Sequence, residues 1–499
     1  MRTASIAAAA VVACGVLVAA VQPRTDATID SARRAKAVLD AGIAALGGLD
    51  ALQAIDRVSL REKMTVTQIA QSMTPKRPFD TVPGEDTLLL DRRGRRVYAE
   101  TVRALSYFTD RRVVAIDGAQ GFALTEANKT ARALPESSHQ QYFDRARRLP
   151  HFLLLGALER AHSLRDLGEE TFEGRRHRVI AANVGDGETS HLFFDRGTNL
   201  LTKVQSLYPD AYLGDVYLET LFTGYHADGA YQVPAARTVR RGGEMSEQAE
   251  IVAVAFNPAI EASRFAPPAD FAKLPAHPAP PRNAVRTLAK DVYLFEQIDG
   301  VGNAMAIAFD AYVLVVDVPE DRVYRRVSES VIRLIRETIP GRPIRYVVPT
   351  HYHGDHGTGL RPYIAEGVTI VTTPGNVDHV REIAALRFPI RPDALALKPR
   401  APIVETLERK QRIFRDATHV VELHDIGPER HVNETIAAWL PNERILFLAD
   451  LYETGYAETA TWDGKGMIGD LIARFGWSID TVVTPHSRPR RLAELRPAS

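Results

Sequence analysis

One cysteine, Cys14, occurs in 499 residues, and it lies near the amino terminus. A single thiol cannot build a disulfide framework, so the fold must be held by buried core. It also leaves no cysteine elsewhere in the chain to act as a nucleophile. Net charge is missing too: 62 Lys and Arg balance 62 Asp and Glu. That removes any general pull toward nucleic acid or an anionic membrane. The short basic runs Arg92 to Arg96, Arg145 to Arg148 and Arg240–Arg241 read as solvated surface. No internal repeat is visible, which excludes a solenoid. Long apolar runs are likewise scarce. The exception is Ala4 to Val21, which follows Arg2 and carries no charge. With small residues at Val18-Ala19-Ala20, residues 1–21 read as an export signal, or as a membrane anchor if uncleaved. Cys14 sits there as VVAC, with too few apolar residues before it for an acylation site. An exported chain without disulfides points to a bacterial periplasm or a secreted protein, touching a membrane only through that segment.

What is present is the composition of a globular protein, 45% apolar and 25% charged. The length calls for two or three domains. Residues 28 to 55 read as helical, ended by Gly47-Gly48. From Val58 to about Phe265, period-two segments such as VSLREKMTVTQ and DTLLLDRRGRRVYAET predict a large antiparallel sheet. The helical interlude SSHQQYFDRARRLPHFLLLGALERA would lie on one face of it. LPAHPAPPRNAV, residues 274–285, predicts an extended linker. A β-rich α+β domain over 28–273 and a second domain over 286–499 follow from that boundary. In the second half strands alternate with helices, an α/β layered pattern. The run DRVYRRVSESVIRLIRETIP predicts an amphipathic helix with Val323, Val327, Val331, Leu334 and Ile335 on one face.

Histidine is also scarce, at 15 residues, yet HYHGDH (351–356) packs three into six positions. It follows the buried-type strand RYVVPT. Period-two geometry would put His351 and His353 on one side, and Gly354 would reverse the chain to aim Asp355 and His356 back at the same spot. Three imidazoles and a carboxylate at the carboxyl end of a strand suit zinc or another borderline divalent metal.

The motif resembles the HxHxDH signature of the metallo-β-lactamase-fold hydrolases, and the later signatures of that superfamily follow in order. GPERHVNETIAAWLP supplies His431, RILFLAD supplies Asp450 and TVVTPH supplies His486, with Asp317 at the structural aspartate of the opening hairpin. The resemblance covers residues 285–490. It implies an αββα sandwich with a dinuclear site, two Zn2+ or alternatively Mn2+ or Fe2+. His351, His353 and His431 would hold one ion; Asp355, His356 and His486 would hold the other, and Asp450 would bridge them. It also implies that Asp355 orients the nucleophile and shuttles its proton, the catalytic role. The loop bearing His431 feeds the strand TIAAWLP, expected beside the strand that bears HYHGDH. His424, His379 and His419 are read as structural histidines.

Aspartate at 450 resembles the glyoxalase-II and lactonase branch rather than the true β-lactamases, which carry cysteine or serine there. The expectation is an exported metal-dependent hydrolase of an ester, thioester or lactone-type bond in a small-molecule substrate. β-Lactamase or phosphodiesterase activity at the same site is the alternative, as is oxidation of a sulfur substrate at one iron. Tyr452, Tyr456 and Trp462 are candidates for a substrate wall. The motifs GGLDAL, IDGAQGF, FDRGTNLLTKVQS and GYHADGAYQVP resemble periplasmic lipoprotein-carrier-like β domains. That leaves open a lipid- or partner-binding protein with a secondary hydrolase domain.

Overall fold

The computed structural model describes residues 27–105, 109–451 and 464–495. Residues 1–21, read as an export signal, with Cys14, and the three aromatic candidates Tyr452, Tyr456 and Trp462, lie outside the described residues. Among the described residues no helix is long and apolar enough to cross a membrane.

The first helix, Ala27–Leu46, buries Ala35, Leu39, Gly42, Ile43 and Leu46, a stripe at helical spacing. It stops at Gly47 and Gly48, whose φ values of +134° and +92° favour glycine. A 14-stranded sheet then takes the chain from Arg57 to Leu274. Its pairings are antiparallel except at one edge, where Ala272–Leu274 runs parallel to Thr130–Ala133. The first strand, Arg57–Thr67, shows why: Val58, Leu60, Glu62 and Met64 are buried while Arg61, Lys63 and Thr65 face out. Glu62 is the odd member of that inward row. It is held by Arg148, at 3.0 Å, and Arg237, at 3.1 Å. The first helix and the interlude helix Pro150–Glu159 cover one face, with Leu39, Ile43 and Leu154 meeting Ile180, Leu192, Phe194 and Phe222.

The chain leaves this sheet at Leu274 and opens the next at Ala284. A seven-stranded sheet (Ala284 to Thr406) and a six-stranded sheet (Gln411 to Arg491) follow. One core joins them face to face through Leu294, Ile307, Val316 and Val348 on one side and Leu423, Ala438, Phe447 and Val483 on the other. The outer face of the seven-stranded sheet is covered by the helices Val327–Thr338, Arg361–Glu366 and Val377–Ala385. Ile468 and Leu471 of the helix Gly464–Phe475 cover the outer face of the other, meeting Trp439, Leu446 and Val482. The result is a helix–sheet–sheet–helix stack.

Among the described residues, the large sheet is hydrogen-bonded to this stack at two places. The turn around residues 209–215 reaches the first of them. Tyr324 N donates to Pro209 O (2.7 Å), Ala211 N to Arg322 O (3.0 Å) and Asp215 N to Arg387 O (2.9 Å). These bonds correct the amphipathic-helix expectation: the helix starts at Val327, not at Val323, because 322–324 are pulled out to pair with the turn. Buried Val327, Val331 and Ile335 keep the predicted face, each contributing about 1.5–3 kcal/mol by burial. The second attachment, the loop between strands Arg57–Thr67 and Thr81–Asp91, lands on HYHGDH.

Candidate metal centre

Three strands of the stack present side chains at one edge with the same offset. His351 lies three residues beyond Val348, Asp450 three beyond Phe447 and His486 three beyond Val483. Phe447 and Val483 are register partners in a parallel pair, so equal offsets bring Asp450 and His486 together. His431 reaches the same edge from the loop joining Val420–Asp425 to Ile436–Leu440. That second strand is not a sheet neighbour of Ile344–Val348, as the sequence reading had it. The two belong to different sheets, pack through the shared core and are joined where Ile436 N donates to Thr350 O at 2.7 Å.

HYHGDH also departs from the strand geometry read from its sequence. The strand ends at Val348, and Gly354–Gly357 form one helical turn after His353. Gly354 is absent from the left-handed region and makes no reversal. The helical turn, not a hairpin-like return, brings Asp355 and His356 round. Gly354 is instead a site of close approach, since a Cβ there would lie 3.2 Å from Ala70 Cβ.

The candidate ligands fall into two adjoining groups: His351, His353 and His431 in one, and Asp355, His356, Asp450 and His486 in the other. Within each group the ligand atoms lie within 4.8 Å of one another. His353 Nδ1 and His431 Nε2 are 3.0 Å apart. Asp450 Oδ2 sits between the groups, 3.0 Å from His356 Nε2, 3.4 Å from His431 Nε2 and 4.0 Å from His351 Nε2. His486 Nε2 lies 3.3 Å from Asp355 Oδ2 and 3.1 Å from His356 Nε2. His351, His353 and His356 are buried, whereas Asp355 and His486 keep 34% and 23% side-chain exposure, so the cluster opens to solvent on that side.

The outer partners of the buried histidines fix which nitrogen faces inward. His356 Nδ1 donates to Asp317 Oδ2 (2.8 Å), leaving Nε2 toward Asp450. Thr350 Oγ1 donates to Asp317 Oδ1 (3.1 Å) and can accept from His351 Nδ1 (3.2 Å), leaving His351 Nε2 buried without a hydrogen bond. His353 Nε2 donates to the Ser72 carbonyl (2.9 Å), leaving Nδ1 inward. His351 Nε2, His353 Nδ1 and His356 Nε2 thus face the cluster, the orientation in which outer partners hold metal-ligating histidines. Burial first, and then neighbouring histidines, hold His351 well below its ordinary pKa; burial and His431 bring His353 down to about 3. Both are therefore neutral and able to ligate at physiological pH.

The acids complete the fit. Among the described residues, Asp317, Asp355 and Asp450 make ion pairs with histidines rather than with Lys or Arg. Burial opposes ionisation of Asp355 and Asp450, yet His356 and His486 hold both well below the usual carboxylate range. Burial likewise opposes a charge on His356, but Asp450, Asp355 and Asp317 drive its pKa well above the ordinary value. Asp355 and Asp450 thus stand among the histidines as carboxylates that a divalent cation could neutralise. Five imidazoles and two carboxylates in this arrangement suit zinc or a similar divalent ion.

His424 is separate from the cluster. Its Nε2 pairs with Glu422 (3.0 Å), and its ring packs on Phe475 and Trp477. His419 pairs with Glu443, and His379 is buried, stacked on Tyr212 and edge-on to Tyr352. The residues that sequence reasoning missed are Thr350, Gln71 and Ser72. Thr350 was legible as the polar residue before the motif; Gln71 and Ser72, about 280 positions away, carry no sequence signal.

No family model matches the chain, and no curated protein matches it. Solved structures similar to it include a metallo-β-lactamase from Pontibacter korlensis, at 17% identity over 42% of this chain and 95% of that one, TM-score 0.31. A second is the stereoselective inverting sec-alkylsulfatase Pisa1 from Pseudomonas sp., at 16% identity over 42% of this chain and 39% of that one, TM-score 0.31. A third is a metallo-β-lactamase from Hirschia baltica, at 15% identity over 42% of this chain and 93% of that one, TM-score 0.32.

Proposed function

We propose that this chain is an exported, metal-dependent hydrolase that cleaves an ester, thioester or lactone-type bond in a small-molecule substrate. The observation that carries the reading is the convergence of His351, His353 and His431 beside Asp355, His356, Asp450 and His486, with one oxygen of Asp450 facing both groups. Two zinc ions are the proposed occupants, with Mn2+ or Fe2+ as alternatives. Bound there, such a pair supplies hydroxide near neutral pH and polarises the electrophilic oxygen.

The chain's own residues do the rest. Asp317 and Thr350 hold His356 and His351 in the ligating tautomer. Asp355, the most exposed of the acids in the cluster, lies on the side open to substrate, where its carboxylate can orient water and accept its proton. The buried wall of His351, His353 and His356 keeps water from the opposite side. Aspartate at 450, in place of cysteine or serine, supports the ester, thioester and lactone reading over β-lactam hydrolysis.

The test is metal analysis of the purified chain, followed by lactone, thioester, ester, phosphodiester, sulfate-ester and β-lactam substrates. About two ions per chain are expected, with turnover confined to the first three classes. Asp450→Ala should lose most of the metal and more than about a hundredfold in rate. Full metal content and rate in that variant would sink the reading.

A further inference from the structure

The loop of residues 68–80 belongs to the large sheet, yet its backbone and one of its side chains are bonded to the metal motif. Five hydrogen bonds join it to the motif and to the loop of His431. Ala70 O accepts from Gly354 N (2.9 Å), and Ser72 O accepts from both the Tyr352 hydroxyl and His353 Nε2. Met73 O accepts from Asn433 N (2.9 Å), two residues from His431. Gln71 Nε2 donates to Asp355 Oδ1 at 3.0 Å. The approach is tight. Ala70 has φ +62°, a conformation that costs an alanine about 1–2 kcal/mol and persists only where surrounding contacts impose it. The same loop also walls a cavity of about 400 Å3 whose lining includes Gln68, Gln71, Met73, Val82, Leu105 and His431.

The two oxygens of Asp355 therefore have different tasks. Oδ1 is occupied by the Gln71 amide, while Oδ2 faces His356 (3.5 Å) and His486 (3.3 Å). Asp355 is the most exposed acid of the cluster, so without a partner on Oδ1 its carboxylate would be free to rotate.

We propose that Gln71 is a positioning residue contributed by the large sheet, which holds Asp355 so that Oδ2 is presented to the second ligand group. The proposal rests on the two-metal reading above. It makes the large sheet a structural part of the metal centre rather than a separate binding module. The hydrogen bond to Oδ1 acts through Asp355 alone. Its loss should weaken the second ion and leave the first, held by His351, His353 and His431, unchanged.

The test uses the full chain, titrated with Co2+ in competition with a chelator and followed by the visible absorption of the bound ions. Gln71→Met keeps the length and apolar stem of the side chain and removes only the amide; Gln71→Ala removes both. Wild type should bind two ions. Both variants should bind the first ion with wild-type affinity and the second about tenfold more weakly, with a changed second-ion spectrum. Their melting temperature without metal should match wild type, since Gln71 is exposed. If wild type binds two ions and Gln71→Met reproduces its affinities and spectrum, the positioning role is wrong and the two-metal reading stands. If wild type binds no Co2+, both fall.

Discussion

Replacing His431 and His424 one at a time separates a ligand from a neighbour in sequence. They are seven residues apart, His424 within the strand Val420–Asp425 and His431 in the loop that follows it. In the fold His431 Nε2 lies 3.0 Å from His353 Nδ1 and 3.4 Å from Asp450 Oδ2. Truncation to alanine leaves the first group with two imidazoles and the shared carboxylate. A zinc site with three or four protein ligands is worth about 10–16 kcal/mol in apparent binding, so one ligand accounts for ~3–4 kcal/mol. That is roughly a 10²- to 10³-fold loss of affinity for the first ion, and hydrolysis should go with it. His424→Ala instead removes a ring packed at 4.9 Å on Phe475 and 5.1 Å on Trp477, at the edge of the core formed by Trp439, Leu446, Ile468 and Leu471. The cost there is stability, about 2–3 kcal/mol, with metal content and rate per folded chain unchanged. Equilibrium dialysis with metal analysis, run beside thermal melting in chelator, reads both quantities. If the His424 variant loses metal while the His431 variant keeps it, the third ligand has been misplaced and the first group is not a metal site.

Asp317→Asn should weaken metal binding by about 10- to 100-fold in a chelator competition, because His356 Nδ1 would lose its charged acceptor at 2.8 Å; wild-type affinity would show that Asp317 does not hold the ligand. His151 tests the large sheet. Burial brings its pKa down to about 3, against an ordinary value of 6.5, so the folded state binds fewer protons than the unfolded state between those limits. Its contribution is fully present above about pH 6.5 and is lost as pH falls toward 3, by up to ~1.4 kcal/mol per pH unit. His151→Phe should flatten the slope of unfolding free energy against pH between about 4 and 6, measured by urea titration; coincident slopes would refute the assignment.

Local pattern alone determined much of this protein. The period-two alternation around Val58, Leu60 and Met64, the stripe through Val327, Val331 and Ile335, and the glycine stop at Gly47-Gly48 are nearest-neighbour effects, written wherever one face of an element must be buried. The His351, His353, Asp355 and His356 cluster was legible because such residue types have few other uses in that density behind a strand, whereas His431, Asp450 and His486 were legible only through the resemblance of their motifs to a known family. What only tertiary structure decided is contact between segments far apart in sequence. The segment around Val323 carries helix-compatible apolar spacing, yet hydrogen bonds to the 209–215 turn take 322–324 out of the helix. Gly354 looks like a reversal and serves instead as clearance for Ala70. Whether His353 offers Nδ1 or Nε2 depends on the Ser72 carbonyl, a backbone group that every residue possesses. Side-chain identity cannot reveal which carbonyl will arrive there, because that depends on how the large sheet docks onto the stack.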